Sequence, residues 1–243
     1  MARARVESAR RMLESETVAV AQVPGGMEFV LARQDEDWVV RVGGRTLMSS
    51  RMHDSEESLA EEALDRADNP RSVLVGGLGL GFTLRAVLDR VGADVKVVVG
   101  ELVPELVEWN RSHLAALHDH ALDDPRCSVV VGDVFETIKR PPAKFDVILL
   151  DVDNGPIALS HAQNQRLYGD NGMRACHAAL NPGGVLAVWS AGPSPRFEKR
   201  LVAAGFRHEV LRVAARQGSR ARHVIFVGVA GPSPHPPPPW ARR

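Results

Sequence analysis

Apolar positions in this chain follow two rhythms, and the change between them divides the sequence. From Thr17 to Met48 they fall in short β-favouring runs, "TVAVAQV", "MEFVLAR", "DWVVRV" and "RTLM". Pro24-Gly25-Gly26, Asp35–Asp37 and Gly43-Gly44 separate these runs as hairpin punctuation does, so a small antiparallel lobe is predicted. "DSEESLAEEALDRADN" then reads as an amphipathic helix: Asp54 is a candidate N-cap with Glu57 three residues on, and Leu59, Ala63, Leu64 and Ala67 share one face.

From Ser72 onward, near-continuous apolar runs at 73–75, 95–99, 128–131, 145–150 and 185–189 alternate with helical patterns. One of these is "PELVEWNRSHLAALH", with Pro104 suited to a first helical position. Apolar strands between helices imply a parallel sheet covered on both faces. A helix over 195–204 leads to Gly205-Phe206, and "HEVLRV" and "RHVIFVGV" then read as an antiparallel pair closing the sheet. The predicted fold is α/β: a Rossmann-like, doubly wound seven-stranded sheet, mostly parallel with a C-terminal antiparallel hairpin, preceded by a small N-terminal β-rich lobe. The expected divisions are an extension at 1–16, the lobe plus connecting helix at 17–70, the α/β domain at 71–230, and a proline-rich tail at 231–243. The tail, "GPSPHPPPPWARR", suits an extended segment or a ligand for a proline-binding module.

Composition narrows the function classes. The 243 residues are 44% hydrophobic and 25% charged, as in a globular protein able to bury a full core. Thirty basic residues balance thirty acidic ones, so no net field draws the chain to nucleic acid or anionic membrane. The basic stretches "SAGPSPRFEKR" and "VAARQGSRARH" lack interleaved aromatics and read as solvated faces. Two cysteines make no disulfide framework, and no apolar run approaches a membrane span. The start, "MARARVESARRMLESE", has no apolar core of a secretory signal, so a cytoplasmic location is expected.

The candidate chemistry sits at the strand ends, where open α/β sheets bind ligands. Val73 to Val75 run into Gly76, Gly77, Gly79 and Gly81, a turn able to take positive φ and lay its backbone against a nucleotide beside a helix N-terminus. The next strand ends at Glu101, placed to accept ribose hydroxyls, and to this point NAD(H) fits as well. Asp133 ends the third strand and either accepts from an adenine amino group or caps the helix "VFETIK". The fourth ends at Asp151 and Asp153. A nicotinamide enzyme has no general need of the Asp133 and Asp151 pair, which weighs against hydride transfer. His161 is a loop candidate for acceptor contact, Tyr168 a pocket wall or a packed core residue, and Trp189 a stacking platform or core filler. His113, His118 and His120 read as a solvated helix end, so no metal site is expected.

These residues resemble the class I S-adenosylmethionine-dependent transferases, and within them the spermidine synthase-like (polyamine aminopropyltransferase) branch. The resemblance spans about residues 17 to 230 and rests on the glycine turn followed by "TLRAVL", on "FDVILLDVDNGP" and on "LYGDNGMRACHAALNPGGVLAV". It implies that Gly76, Gly77, Gly79 and Gly81 hold the amino-acid or aminopropyl end of the nucleoside. Glu101 would bind ribose and Asp133 adenine. Asp151 would face the acceptor nucleophile, with Asp153 supporting it or holding a second ammonium group. It further implies a place in polyamine biosynthesis, S-adenosylmethionine or its decarboxylated form as co-substrate, a small-molecule acceptor, and a homodimer as candidate assembly.

The chain departs from that pattern in several places. Leu80 stands where the turn of typical spermidine synthases carries an aspartate. Ala60 and Glu61 stand where a tyrosine–histidine pair would be, the loop "DVDNGP" is short, and Val75 stands where ordinary methyltransferases carry an acid. The expectation is therefore transfer of an alkyl group, nominally aminopropyl, to an amine other than putrescine. The alternatives are a small-molecule methyltransferase and a nucleoside-binding protein without catalysis.

Overall fold

The computed structural model describes residues 15–22, 28–140, 143–152, 155–157, 166–216 and 218–232. Asp153 and His161, and the turn at 24–26, lie outside these residues. The chain divides into two compact units between His53 and Asp54. The first is an antiparallel meander of β1 (Glu16–Gln22), β2 (Glu28–Gln34), β3 (Asp37–Val42) and β4 (Arg45–Ser49). Val42 pairs with Arg45 across Gly43 (φ 54) and Gly44 (φ 74), a two-residue turn whose double positive φ matches the twist of the strands it joins.

The second unit is built on a seven-stranded sheet in the order β10-β11-β9-β8-β5-β6-β7. Its strands are β5 (Ser72–Gly76), β6 (Lys96–Glu101), β7 (Cys127–Val131), β8 (Phe145–Leu150), β9 (Leu180–Ser190), β10 (Phe206–Ala214) and β11 (Arg222–Ala230). β5 to β9 pair in parallel, while β11 joins β9 antiparallel and β10 pairs antiparallel with β11. This is the predicted doubly wound sheet with its closing hairpin.

The apolar runs are continuous because both faces are covered. Val73, Val75, Val147 and Leu149 point into one buried cluster, and Leu74, Ile148 and Leu150 into another. That is the period-two alternation of strand side chains, with no polar face to spare. α1 (Asp54–Leu64) and α2 (Phe82–Arg90) cover the first face. α4 (Val134–Lys139), α5 (Asp170–Ala179) and α6 (Pro195–Ala204) cover the second. The connecting helix α1 lies in the second unit, packed on α2, β8 and β9. No helix among the described residues is long and apolar enough to cross a membrane.

One element is shorter than its pattern. α3 begins at Pro104 as predicted but ends at Arg111, followed by two 3₁₀ turns, Ala115–His118 and Ala121–Asp123. The Ser112 hydroxyl donates back to the Glu108 carbonyl (2.7 Å), and Asp119 (φ 48) and His120 (φ 53) take the left-handed conformation. The Ser112 side chain competes for the ladder where the helix ends, and the two αL residues separate the 3₁₀ turns that follow.

Candidate active site

The strand order reverses at β5, which has β6 on one side and β8 on the other. A crevice at the carboxyl ends of the strands follows from that topology, because successive crossovers leave in opposite directions. The glycine turn, Glu101 and Asp151 all stand there. Gly77 N–H donates to the Gly100 carbonyl (2.8 Å), and Asp151 N–H to the Gly76 carbonyl (2.8 Å), so backbone bonds tie the three strand ends together.

In the turn, Gly77 (φ 90), Gly79 (φ 55) and Gly81 (φ 87) hold the left-handed conformation that favours glycine. The chain itself occupies the space that two missing Cβ atoms leave. A Cβ on Gly77 would stand 2.3 Å from the Asp151 carbonyl oxygen, and one on Gly81 would stand 2.3 Å from Cδ2 of His118. His118 is buried, its Nδ1 accepting from Ala121 N–H (3.1 Å), and burial lowers its pKa. Asn110, also buried, donates to the carbonyls of Gly79 (3.0 Å) and Leu106 (2.8 Å). The turn is thus clamped between the Asp151 backbone and the His118–Asn110 pair. Sequence reasoning assigned the glycines to a ligand and His118 to a solvated helix end; contacts among residues so far apart in sequence leave no local signal.

Each acid has a distinct setting. Glu101 is buried; one carboxylate oxygen accepts from Leu78 N–H (2.9 Å) and the other from Val103 N–H (2.8 Å), bracing the turn against the chain after β6. Each carboxylate oxygen can accept more than one hydrogen bond, so ribose hydroxyls remain compatible with this arrangement. Asp133 caps α4 by accepting from Phe135 N–H (2.8 Å) and keeps Arg166 within 3.8 Å. Asp151, half-buried, accepts from the Thr83 hydroxyl on α2 (3.0 Å). Burial pushes its carboxyl up to about 6, against the opposing pull of the Thr83 hydrogen bond.

Asp151 also faces a carboxyl that the sequence did not mark. Glu56, in the first turn of α1, is pushed up to about 8, chiefly by burial and then by the charge of Asp151. Ala60 is fully buried and Glu61 exposed, so the helix turns Glu56, not that later pair, toward the strand ends. Thr83 and Glu56 are the site residues that sequence reasoning missed. Thr83 was visible only as part of "TLR", and Glu56 only as one acid among several on a polar face.

Tyr168 and Trp189 are both buried. The Tyr168 hydroxyl donates to the Val152 carbonyl (3.1 Å), fixing from behind the residue that follows Asp151. Trp189, one residue before the end of β9, has its ring edge-on to His223 at 4.6 Å, and its indole N–H has no hydrogen-bond partner among the described residues. Among those residues no group of histidine, cysteine and acidic side chains converges as metal ligands would.

Comparisons with known proteins show the family to which this arrangement belongs. The model of the spermine/spermidine synthase domain matches residues 52–205, more than half of the chain. Polyamine aminopropyltransferase 2 of Pseudomonas aeruginosa is 40% identical over 136 residues, covering 54% of this chain and 37% of that protein. The polyamine aminopropyltransferase of Aeropyrum pernix is 31% identical over 213 residues, covering 83% of this chain and 63% of that protein. The chain thus spans between about a third and just under two thirds of the length of these relatives. Two solved structures share the fold. A spermidine synthase in complex with the transition state analogue AdoDATO superposes with a TM-score of 0.74 at 21% identity, over 89% of this chain and 74% of that one. Spermidine synthase from Thermotoga maritima gives 0.71 at 21%, over 89% and 73%. By the domain match and these relatives, the chain belongs to the spermine/spermidine synthase family.

Proposed function

We propose that the chain transfers an alkyl group, nominally aminopropyl, from decarboxylated S-adenosylmethionine to a small amine, with Asp151 orienting the acceptor and taking its proton. The observation that carries this reading is Asp151 itself, set against the glycine turn at the switch point and raised to about 6 by burial. Such a carboxyl is ionised at neutral pH yet holds a proton well enough to serve as general base. Glu101 and the turn would bind the nucleoside, and Asp133 would meet the adenine beyond its capping bond.

The bound nucleoside supplies a carbon attached to a sulfonium. The acceptor ammonium passes one proton to Asp151, and its nitrogen lone pair forms the C–N bond as the C–S bond breaks. The sulfur keeps the bonding pair and leaves as a neutral thioether, and Asp151 returns its proton to solvent. No acid is needed for the leaving group. What the protein must supply is alignment, for which the backbone-tied ends of β5 and β8 are suited.

Leu80 is buried and apolar, and α1 carries no aromatic side chain; both argue for an acceptor other than putrescine. Leu80 also cannot pair with the ammonium of an aminopropyl chain, which favours a second reading, methyl transfer from intact S-adenosylmethionine. Incubating the protein with either nucleoside and a panel of amines, and following the thioether released, decides between them. Methylthioadenosine formed from the decarboxylated nucleoside supports aminopropyl transfer, and S-adenosylhomocysteine from the intact one supports methyl transfer. No thioether in any combination overturns both. Asp151→Asn should keep nucleoside binding while turnover falls by about 10²–10⁴-fold; unchanged turnover removes Asp151 from the mechanism.

A further inference from the structure

The hairpin that closes the sheet returns to the crevice. β11 runs antiparallel to β9 with Val224 opposite Ser190, the last residue of β9. The turn between β10 and β11 therefore rises past the carboxyl edge where Asp151 stands. Contacts mark the route. Leu150 pairs with Val188, which sets Asp151 level with Trp189 on the next strand, and the Trp189 ring meets His223 edge-on at 4.6 Å. His223 Nδ1 lies 3.0 Å from Ser55 Oγ on α1, and Arg222 is its neighbour in the chain. Two strand spacings and three residues separate Asp151 from Arg222, about 10 Å across the strands and about 10 Å along them.

The turn carries positive charge and nothing that neutralises it. Arg212, Arg216, Arg220 and Arg222 are all exposed, and no acidic residue lies between Val210 and Ala230. The acids of the adjoining elements are engaged, Glu209 of β10 with Arg66 and Glu198 of α6 with His208. Elsewhere in this unit arginines meet acids, as Arg85 does Asp89, Arg126 Asp124 and Arg200 Asp170, whereas none of these four does among the described residues. The turn holds its own shape. Ser219 N–H donates to the Arg216 carbonyl (2.8 Å), Ala221 N–H to the Ser219 hydroxyl (3.0 Å), and the Arg222 guanidinium to the Ser219 carbonyl (2.6 Å). Arg222 is thereby occupied with the turn itself, and Arg216 and Arg220 keep their guanidinium forks for another partner. Such a fork matches the paired oxygens of a carboxylate or phosphate. The crevice is thus bipolar, with the carboxyls of Asp151 and Glu56 at its inner end and guanidinium groups at its rim.

We propose that Arg216 and Arg220 bind an anionic group on the acceptor, which is then a short amine ending in a carboxylate or phosphate, with its amino group at Asp151. The proposal rests on the reading of the crevice as an amine acceptor site. It makes the two arginines specificity-determining residues. It also sets the rim against polycations, whose far ammonium would approach the same guanidinium groups.

Calorimetry and steady-state rates on the full chain test this, with 4-aminobutyrate and 3-aminopropylphosphonate set against butylamine, 4-amino-1-butanol and 1,4-diaminobutane. The expected result is that the anionic amines bind about 10- to 100-fold more tightly than butylamine, as for gain of one charge-assisted bond. The tighter of the two identifies the anion. The double variant Arg216→Gln/Arg220→Gln alters exposed positions only, so its fold should be unaffected. It should raise KM for the anionic amines by about the same factor, while leaving kcat and butylamine binding within about threefold. Arg216→Lys/Arg220→Lys keeps the charges without the planar fork and should restore part of the preference. No preference for anionic amines, or a preference unchanged in the glutamine variant, overturns the rim site. Arginine-dependent binding without turnover on either nucleoside would leave the rim site standing and overturn only the proposed transfer.

Discussion

Glu101 and Asp151 close strands on opposite sides of β5, yet the chain treats the two carboxyls differently. Glu101 accepts backbone N–H bonds on both oxygens and braces the glycine turn. Asp151 accepts one neutral hydroxyl, which only partly offsets the burial that raises its proton affinity. A carboxylate whose two oxygens are both held by backbone donors is fixed in place and still has lone pairs free to accept from neutral hydroxyls. One held in a buried, under-donated setting can exchange a proton within the physiological range. The same residue class braces the backbone on one side of the crevice and carries a raised proton affinity on the other, and the difference lies in burial and in the donors around it.

That contrast can be broken from the wall the two sides share. Gly77→Ala places a Cβ in the Asp151 carbonyl and demands a positive φ. Strain of about 1–3 kcal/mol and displacement of both strand ends follow. Nucleoside affinity should fall by about tenfold or more, and turnover further, as alignment is lost. Calorimetry alongside steady-state rates would show it, and unchanged affinity would mean that the turn does not hold the nucleoside.

Thr83→Val should touch the acceptor side alone. The Thr83 hydroxyl stabilises the carboxylate and lowers its pKa, so removing it raises Asp151 above about 6. If Asp151 is the base, as proposed, the ascending limb of the kcat/KM profile should move to higher pH, at a cost of about 1 kcal/mol at neutral pH. Nucleoside affinity should stay constant. The stability consequence has a definite sign: a carboxyl raised on folding binds more protons folded than unfolded. Its contribution therefore falls as pH rises from the ordinary aspartate range to about 6, and Thr83→Val should extend that fall to higher pH. Tyr168→Phe is the mildest test. It frees the Val152 carbonyl from behind, with an expected loss of about 0.5–1.5 kcal/mol in denaturant unfolding and little change in the pH limb.

Much of this molecule is legible in local pattern. Strands buried on both faces must read as unbroken apolar runs, so β5, β8 and β9 stand out of the sequence. Gly43-Gly44 encodes its turn because few other residues tolerate two successive positive φ angles. Asp133 before "VFETIK" signals a cap, and the structure has it capping α4. The acids at strand ends are legible too, because a parallel sheet gathers its carboxyl ends at one edge.

What local pattern cannot carry is how one element is turned against another. Ser55, Leu59 and Ala63 share the buried face of α1, and the rotation that buries them is what turns Glu56 toward Asp151. Nothing within "DSEESLAEEAL" distinguishes that glutamate from its neighbours. In the same way Gly81 is a glycine because His118 packs on it, and Trp189 meets a histidine from a strand added after it. Sequence by itself determined the sheet, the turn and the row of acids, since these depend on alternation and backbone allowance within a few residues. The tertiary structure decided which acids hold a proton and which brace the backbone, because proton affinity depends on burial and on donors brought in from distant segments.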